Sequence, residues 1–582
     1  MSMSKGTKRI IDDMEFDSLS IKHIRRHVTC LVDLSNEILL SICRYLFPID
    51  VLYSFYTPEK PELRLHYAIS DYYTKIKLDG VSNNGYNYLL ALFNYSKNPF
   101  RPHSLILTNE GVSFLIQRYL SSIDTDIIRS IFNNLRSLTL IDCSSDDLDI
   151  IEIYYTYMIQ LQYLHITVRK TGEHLKWPVT EIYDVSVYRF LFTRRMPSLQ
   201  TIIVNEPDGI TLFKTLIPHE NLRYIDITVE TIDDLYVLLD GLVPNVEKMI
   251  IQISRSRILS YIWPESPPSC LRLTEFTLLD SSIELDIDNI KSILPFMPNL
   301  IKLTLSIRNT PDPMFCHGPY LESTLNKYLP QLRQFDYTMT HRLVDQILIG
   351  DFTRWSMHVV FNENKDYKWV HIYSLPWPSN KDDKRRLPIV KGECNTSVQS
   401  DVKIFEWLDH VLITKPSELV QLKTHFRRAR KITTDISIPI ALPKRICKII
   451  YTKPILINST NIIVQPFVRH LVVQYRLTDV EEISNFAHQF PYVKYLELLF
   501  PPNENLFLEC FQTLFSVYDY INAKRRFWSY LISFSTRFFY DGLDKNLTNL
   551  DIHYWLTRNT DLKFLKRQFC VNCSNSILSI WF

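Results

Sequence analysis

Glycine is scarce in this chain, 11 of 582 residues, and that scarcity argues against enzymes that cradle phosphates with backbone amides. Gly80 and Gly85 have the spacing of a phosphate-binding loop, but Tyr86-Asn87 follows where Lys and Ser/Thr are required. Neither a G-x-G-x-x-G fingerprint nor a G-x-S-x-G nucleophile elbow occurs. Long hydrophobic runs are missing as well: no stretch of about 18 mostly apolar residues exists to form a transmembrane helix. Met1 to Arg9 leads into mixed charge without the apolar centre of a signal peptide, so a cytoplasmic or nuclear location is expected. An excess of one charge is also absent. With 65 basic and 63 acidic residues, a net charge of +2 exerts no global pull on nucleic acid or a membrane, and neither is expected as a partner.

Metal-binding clusters are thin. The ten cysteines are scattered, and the close pair Cys570-x-x-Cys573 has no second Cys/His pair near it. His219-Glu220 opens like a zinc-protease helix, yet Arg223 stands where the second His belongs. No metal and no cofactor is expected.

What is present is a folded composition, 46% hydrophobic, 13% aromatic and 22% charged, in a chain too long for one compact core. A segment of the form apolar-x-x-apolar-x-apolar keeps returning, as a strand would. Its copies are Leu135/Leu138/Leu140, Leu161/Leu164/Ile166, Leu199/Ile202/Val204, Leu222/Ile225/Ile227, Val246/Met249/Ile251, Leu273/Phe276/Leu278, Leu300/Leu303/Leu305 and Leu332/Phe335/Tyr337. Between copies the spacing turns helical, as at Ile232–Leu239 and Ile287–Leu294. Pro197, Pro244, Pro298 and Pro330 then stop each helix just before the next strand. A strand-helix unit this small cannot bury its apolar face alone, so neighbours must stack. From Trp355 the pattern fades into a Trp- and Pro-rich stretch containing Trp369, Trp377 and a mixed-charge loop, Lys381 to Arg386. It returns at Val468/Leu471/Val473 and Val493/Leu496/Leu498, with an aromatic-rich tail, Phe507 to Phe582, to cap the array.

Ahead of the repeats, Ser35 suits a helix N-cap, Glu37 lies in the first turn, and Ile38, Ile42 and Leu46 share one face. Pro48 breaks that helix, and Asp50 opens a second with Val51, Leu52 and Phe55 on its apolar side. This segment resembles the F-box through Leu34, Glu37, Ile38, Ile42, Leu46 and Asp50. Ser35 stands where the family has Pro, and the closing Val-Cys-x-x-Trp is replaced by Leu65 to Ser70. The repeats resemble leucine-rich repeats in architecture: five of the seven steps between first positions fall within about 20–29 residues. They depart from the consensus after the strand, where Cys143 fits but Arg169, Glu230 and Thr340 occupy the Asn/Cys position.

The fold expected is therefore α/β. It comprises a tail over 1–27, a small F-box-like helical domain over 28–75, a leucine-rich-repeat-like solenoid over 76–354, an irregular connection over 355–460, and a second short repeat block with a cap over 461–582. The resemblance implies a non-enzymatic substrate-recognition subunit. Leu34, Glu37, Ile38, Ile42, Leu46, Asp50 and Leu52 would meet a Skp-type adaptor that bridges to a cullin, and the repeats would hold a protein target. In leucine-rich repeats the residue between the last two apolar positions points to the concave face; here that column reads Thr139, His165, Ile203, Asp226, Ile250, Thr277, Thr304 and Asp336. Tyr163, His165, Tyr224, Asp226 and Lys248 are the candidate target contacts. The alternative is a repeat scaffold with no ubiquitin role, whose first helices merely cap the array.

Overall fold

The computed structural model describes residues 34–582 apart from 170–195, 255–269, 375–409 and shorter stretches such as 57–62, 344–350, 423–428 and 538–548. The expected tail at 1–27, Trp377 and the charged loop at 381–386 lie outside the described residues. Two compact units emerge, 1–76 and 77–582.

In the first unit, helix α1 spans Asn36–Tyr45 and α2 spans Pro48–Phe55, followed by α3 (Leu63–Ala68) and α4 (Ser70–Thr74). Ser35 occupies the N-cap of α1 with extended backbone, and its carbonyl accepts from the Leu39 amide at 3.0 Å, but its side chain makes no cap bond. The next helix begins at Pro48 itself, because proline's fixed φ suits a first helical position. Helix α1 is split lengthwise: Leu39 and Cys43, one turn apart, are buried with Val51, Phe55 and Ile69, while Ile38 and Leu46 stay out. The absent tryptophan motif is replaced by α3 and α4 and by a ring cluster, in which Tyr56 stacks on His66 at 5.0 Å and meets Tyr73 at 5.7 Å.

The second unit is mixed α/β and built on two large sheets of mainly parallel strands. Nine strands of the first sheet, from Ser104–Thr108 to Gln334–Leu343, run parallel in sequence order, and the antiparallel hairpin Met357–Asn364/Tyr367–Ser374 follows them. The second sheet has six parallel strands, from His410–Ile413 through Ser533–Arg537, and closes with Ile577–Trp581 and Cys570–Ser574 antiparallel.

The repeat frame is visible in the register. Leu138, Leu164, Ile202, Ile225, Met249, Phe276, Leu303 and Phe335 pair strand to strand and are buried, as are the residues two further on. The parallel strands from Ser137–Cys143 to Gln334–Leu343 are entered the same way: one carbonyl accepts two amides of the next strand, as Arg136 O does from Gln162 and Tyr163 and Arg223 O does from Glu247 and Lys248. The residue after each helix-stopping proline adds a side-chain rung to the preceding repeat: Ser198, Asn245 and Asn299 donate to Ile159 O, Glu220 O and Leu271 O at 2.7–2.9 Å, and Gln331 donates to Asn299 Oδ1 at 3.3 Å. These rungs precede the strand and act alongside the polar residues Arg169 and Glu230 that stand after it in place of Asn or Cys.

Within the connection expected to be irregular over 355–460, the described residues carry regular structure. They form the antiparallel hairpin and the strands His410–Ile413, Lys431–Thr434 and Lys448–Tyr451, so the second repeat block begins about fifty residues earlier than the pattern suggested. Three copies were missed there and in the tail: Ala429/Ile432/Thr434, Ile446/Ile449/Tyr451 and Leu531/Phe534/Thr536, all buried. Small Ala429 and polar Thr434 and Thr536 break the apolar pattern while still filling it sterically.

Candidate functional site

Two surfaces carry the candidate residues, one in each unit. On the first unit Ile38 is 49% exposed and Leu46 37%, beside Tyr45 and Tyr53 at 91% and 70%. Ile42 and Leu34 are half-buried, and Glu37 and Asp50 are exposed. The carboxyl of Glu37 is held below its usual range by its own first-turn backbone amide and by the Ser35 hydroxyl. Leu52 differs from this set, being buried in the unit interior, so it positions α2 instead of offering contact area. Arg64 of α3 reaches back to the Leu34 carbonyl and to Asn36 Oδ1, tying the start of α1 to the rest of the unit.

On the second unit the predicted column is a true line across the sheet. Thr139, His165, Ile203, Asp226, Ile250, Thr277, Thr304 and Asp336 are consecutive register partners on the face opposite the apolar core positions. Thr139, Ile250, Thr277 and Thr304 are nonetheless buried, and the accessible part of the line is His165, Ile203, Asp226 and Asp336. A parallel line two residues earlier reads Tyr163, Thr201, Tyr224, Lys248, Glu275 and Lys302, so Tyr163 and Tyr224 stand about 10 Å apart. These side chains interlock: Lys248 pairs with Glu275 at 2.9 Å and lies 5.9 Å from the Tyr224 ring, and Lys302 meets Asp336 at 3.3 Å. His165 faces Thr167 at 3.4 Å. Tyr163, His165, Tyr224, Asp226 and Lys248 thus lie within one continuous patch spanning four strands.

At the ends of these strands a polar chain joins successive repeats. Arg169 pairs with Asp142 at 2.8 Å and donates to Asn109 O, while Asn109 Nδ2 donates to Asp147 at 2.9 Å. Asp142 sits at φ 59°, a conformation unusual outside glycine that the paired guanidinium holds in place. Burial raises the carboxyls of Asp142 and Asp147 above the usual range against these partners. In the second sheet His470 Nε2 meets Glu497 Oε1 at 3.0 Å. Burial depresses the imidazole of His470; burial would raise Glu497, but that hydrogen bond and charge hold its carboxyl low. Among the described residues no three His, Cys, Asp or Glu side chains gather into a metal site, and no helix is long and apolar enough to cross a membrane.

What the sequence reading passed over is the charge of the second sheet. Lys431, Lys448 and His470 are register neighbours there, in a stretch whose excess of Lys and Arg is plain once residues 429–478 are counted separately from the chain. No family model matches the chain, and no curated protein does.

Proposed function

We propose that the chain is a substrate-recognition adaptor: the first unit binds a Skp-type protein of a cullin-RING ubiquitin ligase, and the repeats of the second hold the protein to be modified. The observation that carries this reading is the apolar stripe of α1. A helix that already buries Leu39 and Cys43 has no internal need for Ile38, Ile42 and Leu46 on its other side, and large apolar groups left beside exposed Tyr45 and Tyr53 suit a protein interface. The long, regular strand face that follows supports the second half of the proposal, since extended repeat surfaces are suited to holding other proteins. The missing Val-Cys-x-x-Trp segment is offset by the partly buried Tyr56–His66–Tyr73 cluster, whose tyrosines pack against the core of the first unit.

The test is affinity capture of the full chain with a purified Skp-type adaptor, followed by mass spectrometry of the cellular complex. Ile38→Glu and Leu46→Asp are expected to abolish capture of adaptor and cullin while the second unit stays folded, because an unpaired carboxylate would be buried in an apolar contact, costing several kcal/mol. Adaptor capture unchanged by both substitutions would refute the reading and leave the scaffold alternative. A second arm addresses the target: Tyr163→Ala with Tyr224→Ala is expected to lose co-purified targets and keep the adaptor, because tyrosine buries much area at low entropic cost.

A further inference from the structure

Between residues 429 and 478 the chain carries eight Lys/Arg and a single acidic residue, Asp435, although the whole molecule balances 65 against 63. The fold brings several of these charges to the strand entrances of the second sheet, while Lys453 and Arg476 lie at or beyond the far ends of their strands. Arg430 O accepts the amides of Cys447 and Lys448, Cys447 O those of Arg469 and His470, and Arg469 O those of Lys494 and Tyr495. That ladder places Arg430, Arg469 and Lys494 on one line at the entrances of the strands, with Lys431, Lys448 and His470 in register just inside it. Adjacent strands are about 4.8 Å apart, and like charges facing each other at that spacing weaken a sheet. Two acids lie against these cations: Asp435 pairs with Lys453 at 3.0 Å, and Glu497 of the next strand meets His470 at 3.0 Å and feels the charge of Lys448.

Aromatic rings alternate with the cations along the same edge. Phe467, Tyr492 and Tyr530 occupy one equivalent position in successive repeats and are 37%, 43% and 60% exposed. The Lys444 ammonium lies 5.6 Å from the Phe467 ring and the Arg469 guanidinium 5.7 Å from Tyr492, whose ring meets Tyr530 at 6.0 Å. Cations therefore already lie over the Phe467 and Tyr492 rings, which leaves Tyr530, packed on Tyr492, as the ring with an open face. The Arg469 guanidinium is anchored through Nη1, which donates to Pro466 O at 2.6 Å and Val468 O at 3.3 Å, and its positive charge and that of Lys444 lie beside partly exposed rings.

We propose that this strand-entrance edge, centred on Arg430, Lys444, Arg469, Phe467, Tyr492 and Tyr530, is a docking surface for an acidic protein segment in which carboxylates alternate with apolar side chains. Charge complementarity selects the occupant, and the rings set its register. The site stands independently of the first unit's role, since an adaptor and a plain scaffold could both use it.

Fluorescence anisotropy on the full chain tests the assignment, with a labelled short peptide of alternating Glu and Leu, the same peptide with Gln for Glu, and an oligouridylate. The Glu peptide is expected to bind and to weaken with added salt, and the Gln peptide to bind at least tenfold more weakly. Arg430→Glu, Lys444→Glu and Arg469→Glu together are expected to weaken the Glu peptide by at least about tenfold, or 1.4 kcal/mol. Charge reversal at Arg129 and Lys327, exposed helix positions of the first sheet, is expected to leave binding intact. Should the triple variant fail to fold, Tyr492→Ser with Tyr530→Ser, which alters no charge, is expected to weaken binding severalfold. No binding of the Glu peptide, equal binding of the Gln peptide, indifference to the edge variants, or tighter binding of the oligouridylate would each overturn the proposal.

Discussion

At the scale of single residues, buried carboxylates do the joining. Ser144/Asp147, Thr231/Asp234 and Asp286/Asn289 form capping boxes at the helix starts that follow strands of successive repeats. In two of them the inner residue also reaches a neighbour: Asp147 takes the Asn109 amide, and Asp234 takes the Leu212 N–H at 2.6 Å. Burial pushes the Asp234 carboxyl up to about 6 against the hydrogen bonds from Leu212 and Thr231. A carboxyl whose folded pKa exceeds its unfolded value of about 3.9 stabilises most when protonated, and that contribution fades as pH rises through about 6. Wild type is accordingly expected to gain roughly 1–3 kcal/mol over Asp234→Asn as pH falls from about 7 to 4. Denaturant unfolding of both proteins across that range measures the difference, and a pH-independent gap would contradict the raised carboxyl. Gly209 gives a second residue-scale case, at φ 86° with a Cβ position 2.5 Å from the Glu230 amide nitrogen. Gly209→Ala is expected to destabilise by about 1–3 kcal/mol, seen as a lowered unfolding midpoint.

At the scale of elements, each strand presents two buried positions and each Pro-x-apolar turn presents one. Ile225 and Leu303 are fully buried and pair with buried neighbours on both sides. Truncating either to Ala is expected to cost about 2–5 kcal/mol, measured by chemical denaturation, because the flanking strands are held by ladder hydrogen bonds and cannot close the cavity. Asn245→Ala is expected to cost only about 0.5–1.5 kcal/mol, since its rung to Glu220 O is exposed and water can replace it. The contrast between the two substitutions distinguishes packing from punctuation as the source of the array's stability.

At the scale of the molecule, the second unit is joined end to start. Trp581, in the penultimate position of the chain, donates from its indole N–H to Val81 O at 3.1 Å, packs on Tyr86 at 5.1 Å, and lies beneath the Arg118 guanidinium. Phe582 O accepts the Asn83 amide. The aromatic tail expected only to cap the array thus contributes the last strands of the second sheet and fastens them to the first helix of the unit. Repeat arrays with free ends can fray, since each repeat touches only its neighbours. Here Trp581→Ala is expected to cost about 3–5 kcal/mol and to broaden the unfolding transition, as the ends of the unit uncouple. Calorimetry of the variant beside wild type tests both effects, and an unchanged, equally sharp transition would show that the closure contributes nothing.

The repeat frame of the first sheet, its buried positions and the line Thr139 to Asp336 were legible in the sequence, because alternation along a strand is local and every copy kept apolar residues at the same offsets. The helical opening at Asn36–Phe55 was legible for the same reason. The strand at 431–434 was not, since Ala429 and Thr434 pack as core residues without looking apolar, and only the neighbouring strands decide that they are buried, whereas Ile446/Ile449/Tyr451 keeps the apolar offsets and was readable. Nor could any local signal show which side of α1 is covered: Ile38, Leu39, Ile42 and Cys43 are all apolar, and the packing of α2 to α4 alone selects Leu39 and Cys43 for the interior. The basic edge of the second sheet and the closure through Trp581 joined residues tens to hundreds of positions apart. Their proximity is a product of stacking one repeat on the next, which the chain encodes only collectively.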